Sequence, residues 1–342
     1  MVADYITYAS ARSTQADALE AAIARISQEV LGLQADGRLQ GPGPIFVGIG
    51  ASLAAASAPV WSLRERGIHS WRLGAGDYPL PFPSSAHPII GISQSGKSTE
   101  TLAVLSSIDR PLRYAVVNTD PSPVSSLAAA TLSLGNIPDS YASTIGFTAT
   151  ITGLGMLAEA WDGGALDSGW SDLPELFRLT EKAVGARASE LAETFRDRNM
   201  ADFVGAGPSV GSAEAGALLF REVARVHAAG MSTRQYLHGS MESAGDGVHV
   251  LFGEDRELEV AKMLADSGHS AILITAADVP EQRNLQTVRL PEVAPSQRAI
   301  LEALVMQILV AEVAHQANVE IEEFVFFHTD TKVVTPQDGD AS

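Results

Sequence analysis

The chain of 342 residues contains no cysteine. That excludes thiolate nucleophiles, disulfides and cysteine-ligated metal, and it fits a reducing cytoplasm. Cations are also scarce: 23 Lys and Arg stand against 41 Asp and Glu, a formal net charge of −18. Nucleic-acid affinity rests on clustered Lys and Arg, so that class of partner is not expected. No uninterrupted apolar run approaches the roughly 18 residues of a membrane span. The opening Met1-Val2-Ala3-Asp4-Tyr5 lacks the basic and apolar regions of a signal peptide. The eight His residues are scattered, with no His-Glu-x-x-His pattern, so no metal is expected. Together these absences predict a soluble, cytoplasmic protein with no nucleic-acid or membrane partner.

Hydrophobic residues make up 46% of the chain and charged residues 19%, enough apolar material for packed cores in two domains of ordinary size. The apolar residues come in short blocks, and their punctuation repeats. Pro44-Ile45-Phe46-Val47-Gly48-Ile49-Gly50-Ala51-Ser52 reads as a strand entering a glycine turn and then a helix. Ala201-Asp202-Phe203-Val204-Gly205-Ala206-Gly207-Pro208-Ser209 repeats that order. Further strands are predicted at Ile89–Ser93 and Tyr114–Asn118 in the first half, and at Val248–Phe252 and Ala271–Thr275 in the second. Strand blocks alternating with helical patterns imply parallel sheets covered by helices. The fold class predicted is α/β: two doubly wound, three-layer, flavodoxin-like lobes related by duplication. The expected boundaries are an N-terminal helical segment 1–34, a first domain 35–160, a linker 161–182, a second domain 183–320, and a tail 321–342 closing the site. The N-terminal helix is expected from about Thr14 to Leu31.

Ligands of open parallel sheets bind beyond the carboxyl ends of the strands. There the chain carries Ile92-Ser93-Gln94-Ser95-Gly96-Lys97-Ser98-Thr99-Glu100-Thr101, which follows a strand and opens a helix. Hydroxyls and backbone N–H groups can converge there on an oxyanion, with Lys97 at the rim. The competing account is a capped helix start, in which the hydroxyls only satisfy free N–H groups. An anion site in so acidic a chain must rest on local donors rather than on the overall field.

The Ser-Gln-Ser-Gly sequence and the hydroxyl residues after it resemble the sugar-phosphate loop of the SIS (sugar isomerase) family, in particular the isomerase half of glucosamine-6-phosphate synthase. The resemblance implies that Ser93, Gln94, Ser95 and Ser98 hold a phosphate. The synthase commonly has Glu where Lys97 stands. Gly50-Ala51-Ser52 is similar to the family's Gly-Thr-Ser turn, and Ala142-Ser143-Thr144 to its Ala-Ser-Thr segment, which places Ser52 and Ser143 at the substrate. The resemblance extends over essentially the whole chain but not over a glutaminase domain, so ammonia drawn from glutamine is not expected.

Aldose–ketose interconversion requires a base that moves a proton between C1 and C2, and an acid–base group that opens the ring. A partly buried carboxylate suits the first task and a histidine the second. Spacing alone does not separate Glu222 from Glu214. The resemblance aligns Gly205 to Gly239 without a gap onto the family's Glu-Leu-Lys-His-Gly region, which implies Glu222 as base and His238 as the ring-opening residue. It also implies a homodimer in which His238 crosses the interface. Leu219 and Leu237 stand where the synthase has Lys, and Ser240 where it has Pro, departures that bear on amino-sugar specificity. In the C-terminal tail Lys332 matches the family's functional Lys, with His328 a further candidate; a Schiff base at Lys332 requires desolvation.

The expected function is a cofactor-free isomerase or deaminase of a hexose or amino-hexose 6-phosphate, the alternative being a non-catalytic sugar-phosphate sensor. A dinucleotide oxidoreductase is disfavoured, because Leu53 stands where the third glycine of that fingerprint belongs.

Overall fold

The computed structural model describes residues 5–322, 324–326, 328 and 330–334. They form two compact units, one made of 5–170 with the described residues from Phe324 onward, the other of 171–322.

The first unit is built on five parallel strands: β1 (Ile45–Gly48), β2 (Trp71–Gly74), β3 (Ile89–Ser93), β4 (Arg113–Val117) and β5 (Ala130–Ser133). Their order is β2-β1-β3-β4-β5. The second has β6 (Met200–Gly205), β7 (His227–Ser232), β8 (Val248–Phe252), β9 (Ser270–Thr275) and β10 (Leu285–Arg289), in the order β10-β9-β8-β6-β7. Read from its second strand, this is the same 2-1-3-4-5 sequence, the doubly wound arrangement of flavodoxin-like sheets. The central strands β1, β3 and β8 are buried along their whole length, which is why they read as short, mostly apolar blocks. The edge strand β2 is half-exposed and carries Trp71 and Arg72, so its pattern is weaker.

Two local expectations are refined. The expected N-terminal helix is present as Gln15–Ala35, and a further short helix, Tyr8–Ser13, precedes it, started by Thr7, whose side chain accepts from Ser10 N–H. The stretch 161–182 is not all connection: it contains most of the helix Leu173–Gly185, which buries Leu173, Phe177, Thr180 and Val184 at helical spacing. In addition, the helix Pro295–Gln316 is long and apolar enough to cross a membrane. It is a core helix of the second unit, packed on the helices Leu173–Gly185, Ala188–Glu193 and Val210–Leu219.

Sheet order fixes where each unit has a crevice. Connections leave β1 and β3 in opposite directions, and the loops after these strands part at the carboxyl edge. In the first unit those loops carry Ser52 and Ser93–Ser98. In the second, the corresponding loops follow β6 and β8.

Candidate functional site

In the first unit a cavity of about 490 Å³ lies at this switch point. Ser52, Ser93, Gln94, Ser95, Lys97, Ser98, His328 and Lys332 all line it, together with Asn118, Thr119, Asp139 and Tyr5. The loop after β3 is held by its backbone. Gly96 N–H donates to Ser93 C=O at 3.0 Å, and the N–H groups of Asn118 and Thr119 both donate to Gln94 C=O, at 3.0 and 2.9 Å. Gly96 has φ +65°, and a Cβ there would stand 2.1 Å from Ser122 Oγ, so only glycine fits the turn. Ser98 sits at the N-cap of the helix Thr99–Ser106 but makes no side-chain capping bond. Its Oγ instead lies 3.0 Å from Ser93 Oγ.

The tail is stitched to this loop. Thr99 N–H donates to Thr331 C=O at 3.2 Å, Val333 N–H donates to Lys97 C=O at 3.0 Å, and Ser98 and Lys332 form an antiparallel bridge. Tyr5 stacks on Tyr141, centroids 4.0 Å apart, and Phe324 of the tail meets Tyr141 edge-on at 5.8 Å. Lys332 is exposed, so the residues of this unit do not supply the desolvation a Schiff base needs. Phe327 and Thr329 of the tail motif, and residues 335–342, lie outside the described residues.

Ser143 is half-buried, and its hydroxyl donates to Asp139 Oδ2 at 2.7 Å. Asp139 is buried and lines the cavity, yet sequence reading missed it. The available signal was an Asp a few residues ahead of a helix, here Ile145–Ala160, whose first N–H groups it accepts. Asn118, at the end of β4, was missed as well. Its side chain closes a pair of bonds with Ile137, donating to the carbonyl at 2.8 Å and accepting from the N–H at 2.9 Å.

Glu222 and His238 belong to the second unit. Glu222 sits in a π-helical turn, Phe220–Ala224, that continues the helix Val210–Leu219 and ends at Arg225 in the left-handed conformation. Burial pushes its carboxyl up to about 7. Glu214, on the preceding helix, is likewise half-buried. His238 is exposed at the C-terminal end of the helix Thr233–Leu237. That helix is anchored by Tyr236, whose hydroxyl lies 3.0 Å from His249 Nδ1 in the interior.

The crevice of the second unit is occupied by the protein itself. Glu302, fully buried, accepts from Ser209 Oγ at 2.8 Å, Ser212 Oγ at 2.5 Å and Arg298 Nε at 2.8 Å. Arg298 also reaches Glu254, in the loop after β8, at 2.6 Å, and the carbonyl of Ile274 in β9 at 3.2 Å.

Two α/β units of this sheet order, one with a hydroxyl-lined cavity at its switch point, define a parallel-sheet class, and comparison places it. The chain has the fold of SIS domain proteins, and its sequence resembles the isomerase half of the glutamine–fructose-6-phosphate aminotransferases. The isomerizing glutamine–fructose-6-phosphate aminotransferase of Thermococcus kodakarensis is 30% identical over 245 residues, covering 66% of this chain but only 40% of that relative. The C-terminal domain of the Francisella tularensis glucosamine-fructose-6-phosphate aminotransferase superposes with a TM-score of 0.81 at 16% identity, covering 93% of this chain and 98% of that domain. The glucosamine-6-phosphate deaminase of Thermotoga maritima has a TM-score of 0.70 at 17% identity, covering 93% of this chain and 99% of its own. No protein-family model matches the chain.

Proposed function

We propose that the chain is a phosphosugar isomerase-type enzyme acting on a hexose 6-phosphate or an amino-hexose 6-phosphate. The observation that carries this reading is the cavity beside the uncapped helix Thr99–Ser106. Ser98 does not cap the helix, so the hydroxyls of the loop and the N–H groups of Glu100 and Thr101, past the Thr99 N–H that the tail takes up, face an oxyanion there. Phosphate at that end leaves the carbon chain of the sugar to the rest of the cavity.

Glu222 is the proposed base. It takes the proton from C2 of the open-chain aldose and returns it to C1, through an enediol. A carboxyl held near 7 is suited to gain and lose a proton at neutral pH. Where C2 carries an amine, the same transfer gives a ketimine, which takes up water and releases ammonia to leave the ketose; no redox step is involved. His238 is the proposed ring-opening residue. Its exposure in a single chain fits donation to the site of a second copy, so a cytoplasmic homodimer is part of the proposal. Lys332 contributes as a charged amine at the cavity wall.

The test follows glucosamine 6-phosphate with the enzyme in D2O by proton NMR, alongside an ammonia assay. Fructose 6-phosphate carrying deuterium, with stoichiometric ammonium, is the deaminase outcome. Exchange without ammonia means that the chain moves the C2 proton of a sugar that is not its true substrate. Binding without exchange, repeated with glucose and fructose 6-phosphates, makes the chain a sensor and refutes the enzymatic reading.

A further inference from the structure

Asp139 is the most heavily bonded side chain at the cavity, and its bonds fix what its neighbours can offer a ligand. Oδ1 accepts from Thr144 N–H at 3.0 Å and Thr144 Oγ1 at 2.7 Å. Oδ2 accepts from Gly146 N–H at 3.0 Å, Ser143 Oγ at 2.7 Å and Gln94 Nε2 at 2.9 Å. Backbone N–H groups can only donate, so both oxygens of Asp139 act as acceptors. The orientation of the Gln94 amide follows from this: the atom facing Asp139 must be nitrogen, and Oε1 is turned the other way. Ser143 has one hydroxyl hydrogen, and it is committed to Asp139.

Gly146 reinforces the arrangement independently. A Cβ at that position would stand 2.1 Å from Gln94 Nε2 and 2.5 Å from Asp139 Oδ2. The helix start therefore leaves out a side chain where the amide and the carboxylate meet.

We infer that Asp139 is a positioning residue that divides the site by hydrogen-bond polarity: it turns Gln94 Oε1 into an acceptor for the hydroxyl or amino groups of the sugar, and leaves the phosphate to the serines of the loop, Ser93, Ser95 and Ser98. A phosphoryl oxygen carries only lone pairs and gains nothing from a second acceptor, whereas a sugar hydroxyl or ammonium donates to one. The resemblance groups Gln94 with the phosphate ligands; its bond to Asp139 assigns its carbonyl oxygen to the sugar. This inference rests on the phosphosugar reading.

The experiment compares two probes by calorimetry on the full chain, inorganic phosphate and glucitol 6-phosphate, an open-chain polyol that cannot isomerise. Asp139→Asn, which puts an amide donor against the Gln94 amide, is expected to leave phosphate affinity within about twofold and to weaken glucitol 6-phosphate by about tenfold or more. Gln94→Met keeps the length of the side chain without its amide and is expected to give the same split, which covers the case in which Asp139→Asn does not fold. Ser98→Ala is expected to weaken both probes together. Equal weakening of both probes by Gln94→Met and Asp139→Asn, or no change in the polyol, overturns the positioning role. A wild-type chain that binds neither probe refutes the phosphosugar reading beneath it.

Discussion

Val333 in the tail donates its backbone N–H to the carbonyl of Lys97 at 3.0 Å, so one edge of the hydroxyl-rich loop is completed by a segment more than 230 residues further along the chain. With the return bond from Thr99 to Thr331, this places Lys332 between two main-chain anchors, at a position that its own exposed side chain does not secure.

That geometry gives the first prediction. Val333→Pro removes the N–H and with it one anchor. Weaker binding of glucosamine 6-phosphate, by about tenfold, is expected. The thermal midpoint should move by no more than a few degrees, since one such bond is worth about 1 kcal/mol net. Val333→Ala keeps the N–H and should bind as the parent does. If the proline variant binds normally by calorimetry, the tail is not part of the site.

A second prediction concerns Glu222. Its carboxyl is raised by burial to about 7, so the base form is lost as pH falls below that value. Turnover should fall about tenfold per pH unit below 7, and Glu222→Gln should lower it by about 10²–10⁴-fold. The stability effect has the opposite sense from an ordinary ion-paired acid. Between the unfolded value of 4.5 and about 7 the folded state binds the extra proton, so this group lowers stability as pH rises through that window. Removing the charge should therefore stabilise the variant at pH 8, by on the order of 2 kcal/mol, and leave it little changed at pH 4. Urea titrations at the two pH values, paired with rates, check both halves.

How much of this was legible beforehand depended on where each feature's partners lie. β1, β3 and β8 could be read because a strand buried on both faces is mostly apolar, whereas β7, His227–Ser232, is an edge strand of mainly small residues and left no such trace. The helix Leu173–Gly185 was hidden by the Asp162-Gly163-Gly164 turn and the Trp residues ahead of it, although its buried positions follow helical spacing. The serine loop was visible because its parts are contiguous. Asp139 was not, since its importance comes from Gln94, 45 positions away, and from a helix start that looks like any other.

Glu302 was hidden for the same reason, inside a largely apolar helix where its i,i+4 partner Arg298 reads as half of an ordinary helical ion pair, and it carries the last prediction. Its carboxylate sits at the switch point of the second unit, where the first unit has an open cavity. There it takes two serine hydroxyls and the Arg298 guanidinium as an anion would. Burial raises its pKa, and Arg298 and the two hydroxyls pull it back only in part. Such a pair adds little over an apolar filling, but losing Arg298 strands the Glu302 charge in the interior. Arg298→Met alone should cost about 3–5 kcal/mol, measured by urea unfolding, and Glu302→Gln less, because Arg298 keeps Glu254. The double variant Arg298→Met, Glu302→Leu should recover most of that loss, giving a favourable coupling in the double-mutant cycle. If the single variants are nearly neutral, water reaches the crevice and Glu302 is not a built-in stand-in for an anion. A large coupling would mean that Arg298 and Glu302 depend on each other inside the second unit's crevice, with the carboxylate filling the place an anion would take.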